Sequence, residues 1–459
     1  MVKENRIPVR DNFSNLRYKE SLYGGSFLFS YMTIPEIYQL FLQYPSIQTD
    51  TRKLKEGDIF FALKGENFNG NAFAKKALEA GATYAIIDEP AYKENDHMIV
   101  VDNVLSCLQQ LALHHRRQFR IPVLAITGSN GKTTTKELIH EVLATTYRTY
   151  TTVGNLNNHI GIPLTLLRIK PDAEMAVVEM GANHQKEIAG YCTYTEPTHG
   201  LITNLGKAHL EGFGGVEGVR KGKGELFDYL RAHEATAFVM WDDEHLRRMS
   251  QGIETVIRYG TKEGDVVGSA VPDPEGQREF LQVQVSRGSA IGLISTQLVG
   301  DYNTPNVLAA VAVGKCFGIP DEAIKKAIES YQPENSRSQL IKRDGLHIIL
   351  DAYNANPTSM RAAIENFKQL KVDNKYLFLG AMAELGEESI AEHQGIIDLI
   401  GTGNWKAVVL VGGDFGKITH PYIQLQNSSE AHEWLKQQEL KEAYLLIKGS
   451  RSMQMEKVL

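Results

Sequence analysis

The stretch LAITGSNGKTTTKE, residues 124–137, decides how this chain is read. An apolar, strand-like run enters a turn carrying Gly128 and Gly131, a lysine and a row of threonines follow, and the helical pattern KELIHEVLATT takes over. The phosphate loop as usually written is G-x-x-x-x-G-K-[ST], and the position of its first glycine is held here by Ile126. A shorter loop still cradles phosphates. The physical needs are flexible glycines, inward backbone N–H groups at a helix N-terminus, a lysine and a hydroxyl for a hard cation. Gly128, Ser129, Asn130, Gly131, Lys132, Thr133 and Thr134 supply them. A plain glycine turn is the alternative, but G-K-T-T between strand and helix is hard to explain as a turn alone. The stretch predicts that ATP or GTP binds here.

Working outward, 459 residues are too many for one hydrophobic core and suggest roughly three domains. With 42% hydrophobic and 23% charged residues the composition is that of a globular protein, and no apolar run approaches the roughly 18 residues that cross a bilayer. No membrane span is expected. Cys107, Cys192 and Cys316 are odd in number and far apart, which argues against a disulfide framework or a cysteine zinc site and fits a reducing cytoplasm. A net charge of -6 argues against nucleic acid as a partner, while a local basic pocket for phosphates is still allowed.

Residues 1–31 mix charges and aromatics without a period, and SFLFSYM at their end lacks the basic flank and cleavage site of a signal peptide. An N-terminal extension is expected there. From Met32, MTIPEIYQLF gives a folded start with Thr33 as N-cap and Pro35 in the first turn. Residues 32–121 alternate DIFFAL, TYAIID and HMIVVD with the helical FAKKALEAGA and LSCLQQLALHHRRQF, a small α/β domain. Its loops TDTRKLKEGD and KGENFNGNAF are either solvated turns or contacts to a polar, phosphorylated ligand. Residues 122–332 carry VLAIT, the phosphate loop, AVVEM, GLITNLG, the helix VEGVRKGKGELFDYL, hairpin-like segments in LQVQVSRGSAIGLISTQLVG and the helix TPNVLAAVAVGKC. Residues 333–459 read β-α-β-α-β-α-β from HIILDAYN to AYLLIKG. Such alternation predicts mostly parallel sheets.

Magnesium needs hard oxygens beyond one hydroxyl. Glu179 ends AVVEM, a place from which a carboxylate projects at the same sheet edge as the loop, although many strand-terminal glutamates are only surface residues. His209 follows another apolar strand; alone, such a histidine is more often structural. On VEGVRKGKGELFDYL, Val216, Val219, Lys223, Leu226, Phe227 and Leu230 recur at helical spacing, so Lys223 falls on the apolar stripe. There it must snorkel, find a partner or lose its charge. Burial would leave a neutral amine, able to take up carbon dioxide as a carbamate.

TGSNGKTTT, VGNLNNHIGIPLTLL, VVEMGANHQKEI, NLGKAHLEGFGG, GKGELF, LDAYNANPTSM, LGAMAELGEES and LIKGSRSMQME lie in an order and spacing that resembles the Mur ligases, from about Met32 to the C-terminus. The short phosphate loop is also that family's form, which accounts for Ile126. EMGANH and DAYNANPTSM resemble its dipeptide-adding branch, and no DNPR-like motif of the diaminopimelate-adding members is present. The resemblance implies an α/β protein of three domains: a small UDP-sugar-binding domain, a central P-loop ATPase domain and a C-terminal Rossmann-like ligase domain. It implies ATP-dependent ligation of D-alanyl-D-alanine to UDP-N-acetylmuramoyl-tripeptide through an acyl phosphate, a step of peptidoglycan synthesis that serves cell shape and division. A cytoplasmic monomer is expected. Another amino-acid-adding ligase is the near alternative; a P-loop switch, the distant one, would have no use for the third module.

Residue by residue, the resemblance implies that Lys132 and two magnesium ions neutralise charge during phosphoryl transfer. Thr133 and Glu179 would hold one ion, His209 and a carbamylated Lys223 the other. Asn303 and Asn306 match the family's adenine-side asparagines, although a first-turn asparagine is otherwise a cap. Arg337 would face the phosphates, Asp351 the ribose, and Tyr353, Asn354 and Asn356 the dipeptide or the reacting centre. Asn155, Asn157 and Asn158 would address the muramoyl peptide, and Thr51 and Arg52 the UDP-sugar. Lys448, Ser450 and Arg451 either face the same cleft or open a solvated helix. One departure stands in GENFNGNAF, where Asn69 and Asn71 replace the Asp and His that the family leads one to expect.

Overall fold

The computed structural model describes residues 32–334 and 336–459; the expected extension, 1–31, lies outside them. The first helix, Ile34–Gln43, starts at Thr33, whose backbone N–H and hydroxyl both donate to the Glu36 carboxylate (2.7 and 2.8 Å). Its buried face, Ile37, Tyr38 and Phe41, packs on the helix Val104–Arg116. Between them in sequence come the strands of a four-stranded parallel sheet in the order Ile47–Gln48, Ile59–Phe61, Tyr84–Ile87, Met98–Val100.

The central sheet has nine strands. From one edge they are Leu293–Ser295, Gln282–Arg287, Val266–Ala270, Thr255–Gly260, Thr236–Met240, His199–Ile202, Val123–Thr127, Met175–Glu179 and Thr149–Thr151. Pairing is parallel from Val266–Ala270 to Thr149–Thr151, and antiparallel among the first three. The middle strands Val123–Thr127 and Met175–Glu179 are buried along their whole length, which is why they read as continuous apolar runs without alternation.

The third sheet orders Gln339–Arg343, Leu346–Asp351, Ala443–Lys448, Lys375–Gly380, Ala407–Val411 and Ile423–Leu425. All of its pairings are parallel except the first, which departs from the expected start at HIILDAYN. Arg343 pairs with Leu346 across a two-residue turn, Asp344–Gly345, and both turn residues have positive φ (53° and 76°). Asp-Gly in that conformation is the favoured tight hairpin turn, so it adds an antiparallel edge strand upstream. Among the described residues no helix is long and apolar enough to cross a membrane, and the three cysteines are unpaired.

Candidate active site

The phosphate loop lies where the strand Val123–Thr127 passes into the helix Lys132–Ala144, at the C-terminal edge of the parallel sheet, the position where such sheets bind ligands. Gly131 adopts φ +76°, and a Cβ there would stand 2.8 Å from Asn306 Oδ1, so the turn requires glycine twice over. Ser129 Oγ donates to the Gly206 carbonyl (2.8 Å) and the Asn130 N–H donates to Asn204 Oδ1 (3.0 Å). Thr203 Oγ1 and Asn204 Nδ2 both donate to the Asn130 carbonyl (2.6 and 2.9 Å). The loop is thereby clamped to the segment that leaves the strand His199–Ile202.

Lys132 Nζ donates to the Gly128 and Ser129 carbonyls (2.7 and 3.2 Å). Part of the side chain reaches the surface, yet protein atoms crowd the ammonium. Burial, with the charge of Arg337, lowers its pKa to about 8 against the pull of Glu179. Thr133 and Thr134 follow on the first helical turn.

Glu179, 1% exposed, ends the neighbouring strand opposite Ile126. Its Oε2 accepts from Thr133 Oγ1 (2.9 Å), its Oε1 from Asn157 Nδ2 (2.8 Å), and its N–H donates to Thr152 Oγ1 (3.0 Å). A carboxylate and a hydroxyl together beside a phosphate loop are a donor pair suited to one magnesium ion. Among the described residues no group of three or more His, Cys, Asp or Glu side chains gathers as for a metal ion. His209, at φ +54°, opens the short helix Leu210–Phe213 and turns its Nδ1 to Glu384, whose carboxyl that hydrogen bond holds below its ordinary pKa.

Lys223 is 1% exposed on the apolar face of the helix Val216–Ala232, and its amine donates to the Ala182 carbonyl (2.9 Å). Burial first, then the charge of Lys132, drives its pKa well below the usual lysine range, against Glu187 and Glu225. The lysine therefore neither snorkels nor pairs with an acidic side chain, and burial works against its charge.

From the third sheet, Arg337 lays its guanidinium 3.7 Å over the Tyr353 ring centroid, with Arg451 6.0 Å from the same ring. Tyr353 thus carries Arg337. Asp351 accepts from the Ser338 N–H (3.2 Å) and pairs with Lys448 (2.5 Å), which also donates to the Asn354 carbonyl (3.3 Å). Lys448 and Ser450 are buried, and Ser450 Oγ donates to the Ala381 carbonyl (2.6 Å), so the reading as a solvated helix start is set aside for both. Asn354 Oδ1 accepts from the Ala355 N–H (2.9 Å). Asn356 caps the helix Pro357–Gln369 through the Ser359 N–H (3.0 Å), and its Nδ2 donates to Asn130 Oδ1 (2.7 Å).

Asn303 and Asn306 are buried and linked: Asn306 Nδ2 donates to Asn303 Oδ1 (2.8 Å), Thr135 Oγ1 donates to Asn306 Oδ1 (3.0 Å), and Asn303 Nδ2 donates to the Val299 carbonyl (2.9 Å). The other asparagine trio divides. Asn157 orients Glu179, Asn158 accepts from the Gly161 N–H (2.9 Å) at the start of the helix Gly161–Leu167, and Asn155 alone is exposed without such a task. Thr51 and Arg52 lie on a short turn capped by Asp50, with the Arg52 side chain 86% exposed and paired to Asp50 at 2.8 Å. Asn69 and Asn71 face inward: Asn71 Nδ2 donates to Asp88 Oδ1 (2.8 Å) and to Asn69 Oδ1 (3.0 Å), and Lys64 pairs with Asp88 at 2.9 Å. Burial raises the Asp88 pKa, but these bonds outweigh it and hold the carboxyl ionised.

Sequence reasoning missed Asn204, Gly206, Lys207 and Glu384. A polar residue closing an apolar strand was a usable signal for Asn204; Glu384, 175 residues from His209, carried none.

A phosphate loop on a parallel sheet, electrostatically coupled to an arginine from a second α/β unit, defines a P-loop nucleotide-using enzyme. Family models described as "Mur ligase family, catalytic domain", "Mur ligase middle domain" and "Mur ligase, glutamate ligase domain" match residues 43–126, 126–314 and 336–451. The UDP-N-acetylmuramoyl-tripeptide--D-alanyl-D-alanine ligase of Bacillus subtilis is 36% identical over 431 residues, 90% of this chain and 92% of that one. Among solved structures, MurF from Acinetobacter baumannii superposes with a TM-score of 0.80 at 31% identity, covering 90% of this chain and 92% of that chain. MurF from Thermotoga maritima in complex with ADP gives 0.80 at 26% identity, covering 91% and 96%. This chain belongs to the Mur ligase family, and it has that family's three-domain α/β architecture.

Proposed function

We propose that this chain joins D-alanyl-D-alanine to UDP-N-acetylmuramoyl-tripeptide, converting ATP to ADP and phosphate, as a cytoplasmic monomer in peptidoglycan synthesis. The observation that carries the reading is 36% identity, along 90% of the chain, to the ligase of that name. The division 32–121, 122–332 and 333–459 assigns the UDP-sugar, the ATP and the ligation step to successive domains.

An acceptor carboxylate oxygen attacks the γ-phosphorus, the bond from that phosphorus to ADP breaks, and an acyl phosphate forms. The dipeptide nitrogen then attacks the acyl carbon, the carbon–oxygen bond to phosphate breaks, and a proton leaves the nitrogen. Phosphoryl transfer of this kind depends on positioning and charge neutralisation more than on covalent chemistry. Lys132 supplies a cation at the phosphates, and Arg337, held flat by Tyr353, brings a second from the C-terminal domain. Magnesium, held by Thr133 and Glu179, would add neutralisation at the same place. Asn303 and Asn306 shape the adenine side, Asp351 and Lys448 the ribose side. Tyr353 and Asn354 border the reacting centre. Asn155, with Asn157 and Asn158 behind it, faces the muramoyl peptide, while Thr51 and Arg52 meet the UDP.

Burial lowers the Lys223 pKa and so favours the neutral amine that a carbamate requires, in which a nitrogen–carbon bond forms to carbon dioxide and a proton is lost. The resulting anion would lie within the field of Lys132. His209 would join a second ion through Nε2, with Glu384 orienting the ring at Nδ1. The test is release of phosphate with each component omitted in turn: release requires ATP, magnesium, the UDP-tripeptide and D-alanyl-D-alanine together, and rapid hydrolysis without either peptide would overturn the reading. Running the lysine- and diaminopimelate-containing acceptors side by side identifies the tripeptide.

A further inference from the structure

Three segments converge on Gly206. A Cβ built there would stand 3.0 Å from Thr358 Oγ1 and 3.1 Å from Asn130 Nδ2, so the phosphate loop, the segment after His199–Ile202 and the start of the helix Pro357–Gln369 meet at one point. Polar contacts fill the junction. Asn356 Nδ2 donates to Asn130 Oδ1 (2.7 Å), the Lys207 N–H donates to Thr358 Oγ1 (3.1 Å), and Ser129 Oγ donates to the Gly206 carbonyl (2.8 Å). Asn356 divides its side chain between two partners: its Oδ1 caps its own helix at the Ser359 N–H and accepts a longer bond from Asn130 Nδ2 (3.4 Å), while its own amide donates to Asn130, 226 residues away.

We propose that Asn356 is a positioning residue which, through Asn130, fixes the phosphate loop only when the C-terminal domain is docked. Phosphoryl transfer gains most from exact placement of the loop, and a contact made across the domain boundary ties that placement to assembly of the whole site. The backbone of Asn130 is independently held by Asn204 and Thr203, so its side chain is free for this contact. The role differs from contact with the dipeptide, which would appear in the binding of that substrate.

Two substitutions separate the possibilities. Asn356→Ser keeps an N-cap oxygen for the helix but lacks an amide that reaches Asn130. Asn130→Ala removes the other half while leaving the backbone bonds of the loop. Each should lower kcat about tenfold, the size expected for one well-placed hydrogen bond, with KM for both peptide substrates within about twofold. The double variant should be no slower than the slower single one. Hydrogen exchange supplies an arm independent of the proposed reaction, on which the kinetic arm rests: amides at 128–131 and in the first turn of Pro357–Gln369 should exchange faster in both single variants, with ADP bound. Losses that multiply in the double variant, unchanged exchange at 128–131 in Asn356→Ser, or a raised KM for D-alanyl-D-alanine with unaltered kcat would each overturn the proposal. The last result would assign Asn356 to the dipeptide.

Discussion

Lys132 and Lys223 both lose basicity, by different routes and to different ends. Burial lowers the Lys132 pKa, and it stays at about 8 because Glu179 supports the charge. Phosphate oxygens favour the charged amine, so nucleotide affinity should hold below pH 8 and fall by up to about tenfold per pH unit above it, until the higher pKa of the complex is reached. Equilibrium binding of ADP from pH 7 to 10 checks this, and Lys132→Gln should abolish the step. Lys223, sealed in, has its pKa lowered well below the usual lysine range by burial first and the charge of Lys132 second. Lys223→Ala should reduce ligation by about two orders of magnitude or more while ADP affinity changes little, and an added small carboxylate should restore part of the rate; a variant with normal turnover would refute the role. The burial of Lys223 was legible in sequence because it interrupts an apolar stripe of fixed period. The partner of His209 was not, since nothing local marks a contact with Glu384.

At the scale of elements, the helix Val216–Ala232 shows what periodicity leaves out. Its apolar face was readable from Val219, Leu226, Phe227 and Leu230, all buried as the pattern requires. Its glycines were not. A Cβ at Gly218 would stand 1.8 Å from the Phe213 carbonyl oxygen, so this face of the helix lies directly on the turn that carries His209 and Phe213. Alanine favours a helix by about 1 kcal/mol over glycine, so an exposed site would be stabilised by the change. Here the sign should reverse. Gly218→Ala should destabilise by about 1–3 kcal/mol in denaturant titration, because the obstructing atom is backbone and the Phe213 turn must shift. Activity should fall with it, as Lys223 lies 5.0 Å from the Phe213 ring. The edge strand Gln339–Arg343 escaped for the opposite reason: its Asp-Gly turn was visible, but the strand before it carries charges at Lys342 and Arg343 and lacks the apolar run of a central strand.

Across the whole molecule, three α/β units were legible because strand and helix periods alternate within each, whereas the contacts that join units link residues far apart in sequence and have no period. Between the central and C-terminal units two groups of such contacts stand out. Around the nucleotide they are polar pairs: Asn130 with Asn356, Lys207 with Glu392, and His209 with Glu384. Away from it, the loop between Val266–Ala270 and Gln282–Arg287 grips the C-terminal domain at both ends. Glu279 joins Lys342 (2.6 Å) and His347 on the edge hairpin, while the Lys371 N–H and Nζ donate to the Gly276 and Pro274 carbonyls (both 2.7 Å). Burial raises the Glu279 carboxyl, but Lys342 and His347 outweigh it and keep it ionised, so the grip is electrostatic as well as steric. If the C-terminal domain rotates away from the phosphate loop, this loop is the expected pivot, because it combines a backbone bond from the Lys371 N–H to the Gly276 carbonyl with the side-chain pairs. Glu279→Ala should leave ADP affinity unchanged, because no nucleotide contact is lost, yet lower kcat by about three- to tenfold through poorer docking of Arg337 and Asn356. In solution scattering the parent protein should compact when ATP and the acceptor are both present, and the variant should compact less at the same occupancy. Equal compaction with a reduced kcat would place the effect of Glu279 in the stability of the edge hairpin. Compaction in neither protein would mean that closure is not part of the cycle.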